Sequence, residues 1–290
     1  MNDNVSILII NSSFHHKNKN GLQKILEKLN WYYKFGTEKD IEKYNIIYSP
    51  SQPINTSNYP TKKFIFGPHF SVFPDNKLRY INNKYNNTIY IQPSEWVTNV
   101  WKNVGAEKII PIKTLCFPVD TDFFLPNNNN NKGDKIFIYF KRRNPKELYF
   151  IETFLKNKNI NYTIFDYVKK YNENEYLNYL QNSKYGIILD AHESQGFAIE
   201  EALSCNVPLL VWNTKYMSQE YGSRYTDIPC SSIPYWDVRC GEFFYEKEEF
   251  EKTFDIFIHK LETYQPRQYV LEELSVNKCS DNLINLIGNI

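Results

Sequence analysis

The sequence predicts an α/β fold made of two parallel-sheet units in series. Three observations predict it. Short apolar runs rich in β-branched residues alternate with segments whose apolar residues recur at helical spacing. The alternation breaks at the asparagine run Asn127–Asn131 and then starts again. The length, 290 residues, suits two domains of ordinary size with real cores.

In the first half, Val5–Ile10 is a β-branched run of the kind that forms a fully buried strand. Polar residues Ser12–Asn20 follow, and then Leu22, Ile25, Leu26 and Leu29 recur on one helical face. Further strands are predicted at Asn45–Tyr48, Lys63–Phe66, Thr88–Ile91 and Lys108–Ile112, with a short helix over Glu95–Asn103. Pro118 and Pro126 lead into the asparagine run and Lys132-Gly133-Asp134, which neither buries nor repeats. The second half predicts strands at Lys135–Phe140, Tyr162–Phe165, Tyr185–Leu189 and Val207–Val211. Helices fall between them: Leu148, Ile151, Phe154 and Leu155 share a face, and Glu173–Gln181 and Phe197–Cys205 follow. Phe250, Phe254, Phe257, Ile258 and Leu261 mark a later helix, and Asp281–Ile287 a terminal one. The expected division is a domain over 1–118, a linker over 119–134, a second domain over 135–276 and a terminal helix over 277–290 that crosses back to the first.

Composition narrows the function. Lys+Arg 34 against Asp+Glu 33 leaves a net charge of +1, too little to coat a nucleic acid. The longest apolar runs, such as Val207–Trp212, fall far short of the roughly 20 residues that span a bilayer. Met1-Asn2-Asp3-Asn4 carries no basic segment of the secretory kind. Cys116, Cys205, Cys230, Cys240 and Cys279 are odd in number and widely spaced, which argues against a disulfide framework or a structural zinc site. A reducing, cytoplasmic location is expected, the host's if the source is viral. With 23 Tyr and 20 Phe in the chain, aromatics such as Tyr235 and Trp236 are read as packing before sugar stacking.

In parallel α/β units, ligands bind beyond the carboxyl ends of the strands, and two such units can face each other across a cleft. The residues with chemistry should therefore follow strands. The richest such segment is Asp190-Ala-His-Glu-Ser-Gln-Gly-Phe-Ala-Ile-Glu-Glu-Ala-Leu-Ser-Cys-Asn-Val-Pro208. Glu193 falls in the loop and Glu201 about one turn into the next helix. Gly196 lets backbone approach a ligand. Amides at the helix start favour an anion such as a diphosphate. A carboxylate can hold two vicinal hydroxyls. Together these suit a nucleotide sugar. Acids are also common at solvated helix starts, and charge alone divides the two readings evenly.

The same segment resembles the Glu-x7-Glu motif of retaining GT-B glycosyltransferases of group 1 (family 4). Glu193 and Glu201 keep the spacing, Gly196-Phe197 matches the glycine–aromatic pair, and Glu201-Ala202-Leu203 before Val207-Pro208 matches the motif's ending. Asn206 stands where the family often has glycine, and asparagine also tolerates a left-handed helix end. Pro118-Val-Asp-Thr-Asp-Phe123 resembles the family's interdomain segment. The resemblance covers roughly Ile110–Trp212. It implies a GT-B fold with an abbreviated first domain. It also implies retaining, metal-independent transfer of a sugar from a UDP- or GDP-sugar to a glycan, lipid or protein acceptor. No cofactor, nucleic acid or transmembrane segment is expected, and peripheral membrane contact stays open.

Residue roles follow from the resemblance. Phe140-Lys-Arg-Arg-Asn-Pro-Lys146 holds the diphosphate cations: Lys141, or Arg142 if the register shifts by one, with Lys146. Glu193 would hold the donor sugar, amides around Gly196, Phe197 and Ala198 would assist, and Glu201 would bind the ribose. Gly21, opening the first helix, is the weak counterpart of the family's glycine-rich loop. His69, after the strand Lys63–Phe66, is the candidate histidine near the donor sugar, ahead of His15, His16 and His192. Asp120-Thr121-Asp122 spells a metal-binding Asp-x-Asp but sits at the junction and is read as structure. No Gly-x-Gly-x-x-Gly follows the first strand and no Gly-x-Ser-x-Gly occurs, which disfavours dinucleotide oxidoreductases and serine hydrolases. An epimerase of the same fold, or a non-catalytic subunit that binds sugar nucleotides, remains the alternative.

Overall fold

The computed structural model describes residues 5–81, 87–127, 133–169 and 172–288. The chain forms two compact units, one of Met1–Pro118 with Leu274–Ile290, the other of Val119–Glu273.

The first unit holds strands β1 (Ser6–Ile10), β2 (Tyr32–Gly36), β3 (Ile46–Ser49), β4 (Lys63–Phe66), β5 (Thr88–Gln92) and β6 (Ile112–Thr114). They form one sheet in the order β2-β1-β3-β4-β5-β6, parallel throughout. Helices α1 (His16–Lys28) and α2 (Glu95–Asn103) follow β1 and β5. The central strands are apolar on both faces, as a sheet covered on both sides requires: Ile7, Leu8, Ile9, Ile47, Phe64, Phe66 and Ile91 are all buried.

The second unit holds β7 (Lys135–Lys141), β8 (Thr163–Asp166), β9 (Ser183–Asp190), β10 (Leu209–Trp212) and β11 (Gly241–Phe244). Its sheet runs β11-β10-β9-β7-β8, again parallel. Helices α3 (Pro145–Asn157), α4 (Glu173–Leu180), α5 (Phe197–Ser204), α6 (Phe250–His259) and α7 (Pro266–Glu273) belong to it. An aromatic cluster of Phe150, Phe154, Phe250, Phe254 and Phe257 packs α3 and α6 on the sheet, with edge-on rings such as Phe154–Phe250 at 4.8 Å. Both sheets place their second strand outside the first and their third inside it. Each therefore has its topological switch point between the first and third strands: β1/β3 in one unit, β7/β9 in the other.

The final helix α8 (Val276–Gly288) belongs to the first unit, where Cys279 Sγ lies 3.5 Å from Cys116 Sγ and Lys63 donates to the Ile287 carbonyl at 2.8 Å. Part of the expected linker is docked on the second unit. Arg267 donates to the carbonyls of Thr121, Phe124 and Ser204, so its cation also meets the carboxyl end of α5. Apart from Asn127, the asparagine run and Lys132 lie outside the described residues.

Three predicted details change. The strand expected at Lys108–Ile112 begins only at Ile112. Gly105, at φ +86°, turns the chain into a short 3-10 turn over Ala106–Lys108 first. Strands β2 and β11, which the sequence did not signal, lie at sheet edges. There one face meets solvent and the apolar pattern thins to Tyr-Tyr-Lys-Phe-Gly and Gly-Glu-Phe-Phe. Helix α7 was also unpredicted: only Tyr269 and Val270 of its apolar residues besides Pro266 are buried.

Candidate functional site

In the second unit, the end of β7 and the end of β9 meet at the switch point. Lys141 and Asp190 are the last residues of their strands and stand opposite each other in register. Their side chains are therefore neighbours on one face. Asp190 is wholly buried, and its Oδ2 lies 3.8 Å from Lys141 Nζ. Three residues on, Glu193 reaches back from the β9–α5 loop and accepts a hydrogen bond from the same ammonium. The ring of Tyr167 covers Lys141 with its centroid 4.6 Å from Nζ.

The charges shape one another. Burial alone would lower the Lys141 ammonium, but Asp190 and Glu193 outweigh it and hold it above its ordinary value. Asp190 is driven the other way from a surface carboxyl: burial raises it well above 3.8, against the pull of Lys141. Burial also opposes ionisation of Glu193, yet the Lys141 ammonium holds it below its ordinary value. Lys141 thus faces two carboxyl groups, of which Glu193 is held towards its charged form and Asp190 away from it.

The frame beneath is Arg143. Its guanidinium is fully buried and forks onto the Glu147 carboxylate at 2.8 and 2.9 Å. It also donates to the carbonyls of Asp190 at 3.2 Å and Trp212 at 2.8 Å, fastening the ends of β9 and β10. The loop after β10 closes the other side. Thr214 Oγ1 donates to the Ala191 carbonyl, and Asn213 Oδ1 accepts from Ser232 N at 2.9 Å and Ser232 Oγ at 2.8 Å. The Ser231 carbonyl accepts from Glu193 N at 3.0 Å. The backbone around Glu193 is thereby tied at both ends.

Two further groups edge the site. His192 Nε2 lies 2.7 Å from a Glu220 carboxylate oxygen, and Arg142 Nη1 lies 3.6 Å from the other. Burial lowers the His192 imidazolium below 6.5, although Glu220 and Glu193 oppose this. Arg142 itself is exposed, at φ +52°, and its carbonyl accepts from Tyr221 N at 2.8 Å.

Helix α5 opens at Gly196, whose φ of +97° is left-handed and favours glycine. The amides of Phe197 and Ala198 form its first turn, and the Ala198 carbonyl accepts from Tyr176 Oη at 2.9 Å. Glu201 sits just over one turn in and is almost wholly buried within the helix packing. The helix ends at Asn206, at φ +60°, the left-handed end expected of it. Lys146 is exposed in the first turn of α3, where Asn144 Oδ1 caps its amide at 3.0 Å.

In the first unit the predicted residues have a different setting. Gly21 was expected to open the first helix, but α1 starts at His16 and Gly21 lies in its second turn. A Cβ there would meet Pro118 Cδ at 3.0 Å and Phe117 Cβ at 3.3 Å. Close helix packing, and no phosphate loop, explains that glycine. His69 is held locally. Its Nδ1 accepts from Ser71 N at 3.1 Å, and its Nε2 lies 3.3 Å from Asp75 Oδ2. His15 and His16, at the start of α1, lie with their rings tilted against each other at 4.7 Å. Asp120 Oδ1 accepts from Phe123 N at 3.2 Å, a turn cap, and among the described residues no group of three His, Cys, Asp or Glu could hold a metal ion. Tyr235 and Trp236 are half-buried.

The sequence grouped Lys141, Arg142 and Arg143 as one basic stretch. The structure separates them into a site cation, an exposed arginine and a buried frame. It adds Asp190, Glu220 and Tyr167. For Asp190 the signal was visible, a carboxylate directly after the run Tyr185–Leu189.

No protein-family model matches the chain, and no curated protein sequence matches it. Solved structures do. The catalytic domain of starch synthase IV from Arabidopsis thaliana, bound to ADP and acarbose, aligns with TM-score 0.62 at 8% identity, over 98% of each chain. The N-terminal domain of Candida albicans trehalose-6-phosphate phosphatase aligns with TM-score 0.60 at 10% identity, over 99% of this chain and 97% of that one. Sucrose-phosphate synthase from Thermosynechococcus elongatus aligns with TM-score 0.56 at 10% identity, over 97% and 98%. At such identities the likeness is one of fold. Among the described residues no helix is long and apolar enough to cross a membrane. The fold is GT-B, two Rossmann-like parallel-sheet domains in one chain.

Proposed function

We propose that this chain is a glycosyltransferase that moves a sugar from a nucleoside-diphosphate sugar to an acceptor, with retention and without a metal. One observation carries the reading: a lysine, a deeper carboxyl and a second carboxylate gather at the β7/β9 switch point, immediately before the left-handed turn that opens α5. The fold supports it, because the starch synthase domain that shares it binds ADP and acarbose.

In this reading Lys141, aided by Lys146 or Arg142, neutralises charge that builds on the departing diphosphate. The first amides of α5, at Phe197 and Ala198, add the positive end of the helix. Glu193 holds hydroxyls of the donor sugar. Glu201 holds the ribose, which requires its buried carboxylate to be uncovered at the α5 surface when the nucleotide docks. With no side-chain base assigned, the leaving phosphate takes the acceptor's proton. The closed Lys141–Glu193 pair favours one second reading, a subunit that binds sugar nucleotides without turnover.

The test is direct. Purified chain is incubated with UDP- and GDP-sugars in the presence of EDTA, and release of the free nucleoside diphosphate is followed. Release that requires an acceptor supports transfer. Release of the diphosphate without any acceptor indicates an epimerase, and tight binding without release indicates the subunit reading.

A further inference from the structure

We infer that Asp190 is a positioning residue: from beneath the sheet edge it fixes the Lys141 ammonium and the Glu193 carboxylate in one arrangement that a diphosphate can meet. The inference rests on the proposed donor site and names the group that organises it.

The geometry argues this in three steps. Asp190 has no exposed surface, so it touches no solute itself, whereas the side chains of Lys141 and Glu193 keep 11% and 14% of theirs. Asp190 stands in register with Lys141 on the adjacent parallel strand, and a lysine is a flexible point charge that needs a second contact to hold one direction. Asp190 supplies it at 3.8 Å, Glu193 supplies another, and Tyr167 closes the remaining side. Finally, Asp190 is itself immobilised. Arg143 holds its carbonyl at 3.2 Å, and the next residue's carbonyl is held by Thr214 Oγ1. Both Asp190 carboxyl oxygens are buried without a hydrogen-bond partner of their own, which leaves the Lys141 ammonium as the polar group they face. An incoming diphosphate would then take over Lys141 and release Glu193 towards sugar hydroxyls.

The test compares diphosphate with monophosphate binding. The probe is whichever of UDP, GDP and ADP the wild-type chain binds, with its matching monophosphate, by titration calorimetry. In Asp190→Ala the diphosphate should weaken by about tenfold or more, a loss of about 1.4 kcal/mol, with the monophosphate nearly unchanged. Asp190→Asn keeps the side-chain shape and an oxygen acceptor facing Lys141, so it should bind the diphosphate within about threefold of wild type. A merely structural role would weaken both nucleotides by one factor. That result overturns the inference, as does wild-type binding in Asp190→Ala. If Asp190→Ala does not fold, a folded Asp190→Asn decides, and a tenfold loss there contradicts the inference. Wild-type chain that binds none of the three diphosphates overturns the proposed function, a failure distinct from the others.

Discussion

The two sheets share one strand order, so their switch points can be compared directly. At β7/β9, ionisable side chains converge: Lys141, Asp190 and Glu193, with Arg143 beneath and His192 and Glu220 beside. At β1/β3 the corresponding turns are tied by neutral groups. Ser12 Oγ donates to the Pro50 carbonyl and Ser51 Oγ to the Ser13 carbonyl, both at 2.7 Å. Charges are costly to bury and persist only where they are paired. One strand order therefore carries two kinds of contact: hydroxyl-to-carbonyl ties at β1/β3 and a cluster of paired charges at β7/β9.

The largest expected effect breaks the frame of the charged edge. Arg143→Leu leaves the Glu147 carboxylate and two strand-end carbonyls without their donor, and should cost about 3–5 kcal/mol of unfolding free energy. Chemical denaturation measures it, and a loss under 1 kcal/mol would deny Arg143 its role.

Next comes a pair of glycines that sets the two edges against each other. Gly67, after β4, has φ +91°, and an added Cβ would lie 2.5 Å from the Ile91 carbonyl oxygen. Gly196 has φ +97°, but the nearest atom would be Glu193 Cβ at 3.4 Å. Gly67→Ala should therefore cost about 3 kcal/mol and Gly196→Ala only the left-handed penalty of about 1–2 kcal/mol. Equal melting temperatures for the two variants would erase the distinction.

A smaller effect depends on pH. His192 is held below 6.5 in the folded chain, so the unfolded chain takes up its proton first as pH falls. The stability it contributes is complete above 6.5 and is lost as pH falls from there through the lower folded value. Urea midpoints at about pH 7.5 and about pH 5.5 should differ more in wild type than in His192→Gln. The smallest effect on stability is expected for Lys146→Ala, an exposed side chain whose removal should leave the melting temperature unchanged while weakening nucleotide binding.

Much of this is legible in the sequence. The central strands read clearly because burial on both faces leaves them almost wholly apolar. The left-handed end at Asn206 followed from backbone chemistry. Edge strands β2 and β11 did not read, since their solvent face dilutes the pattern, and β6 was displaced by the turn at Gly105. In the site, Glu193 and Lys141 were legible as candidates because both follow strands. The pairing between them was not, for it depends on register between β7 and β9, which are separated by a helix, a strand and another helix. Arg143 was not singled out, because a sequence does not show which of three adjacent cations points inward. Gly21 misled for a similar reason, its purpose being set by Pro118, nearly a hundred residues away.

The central claim is that the charged switch point binds a nucleoside diphosphate. The measurement that tests it most directly is a titration of the chain with UDP, GDP and ADP, in EDTA and then in magnesium. It is repeated on Lys146→Ala and Glu201→Ala. The account predicts binding of one nucleotide in EDTA, lost or much weakened in both variants. Binding of none, or binding that requires magnesium and so returns attention to Asp120 and Asp122, would contradict it.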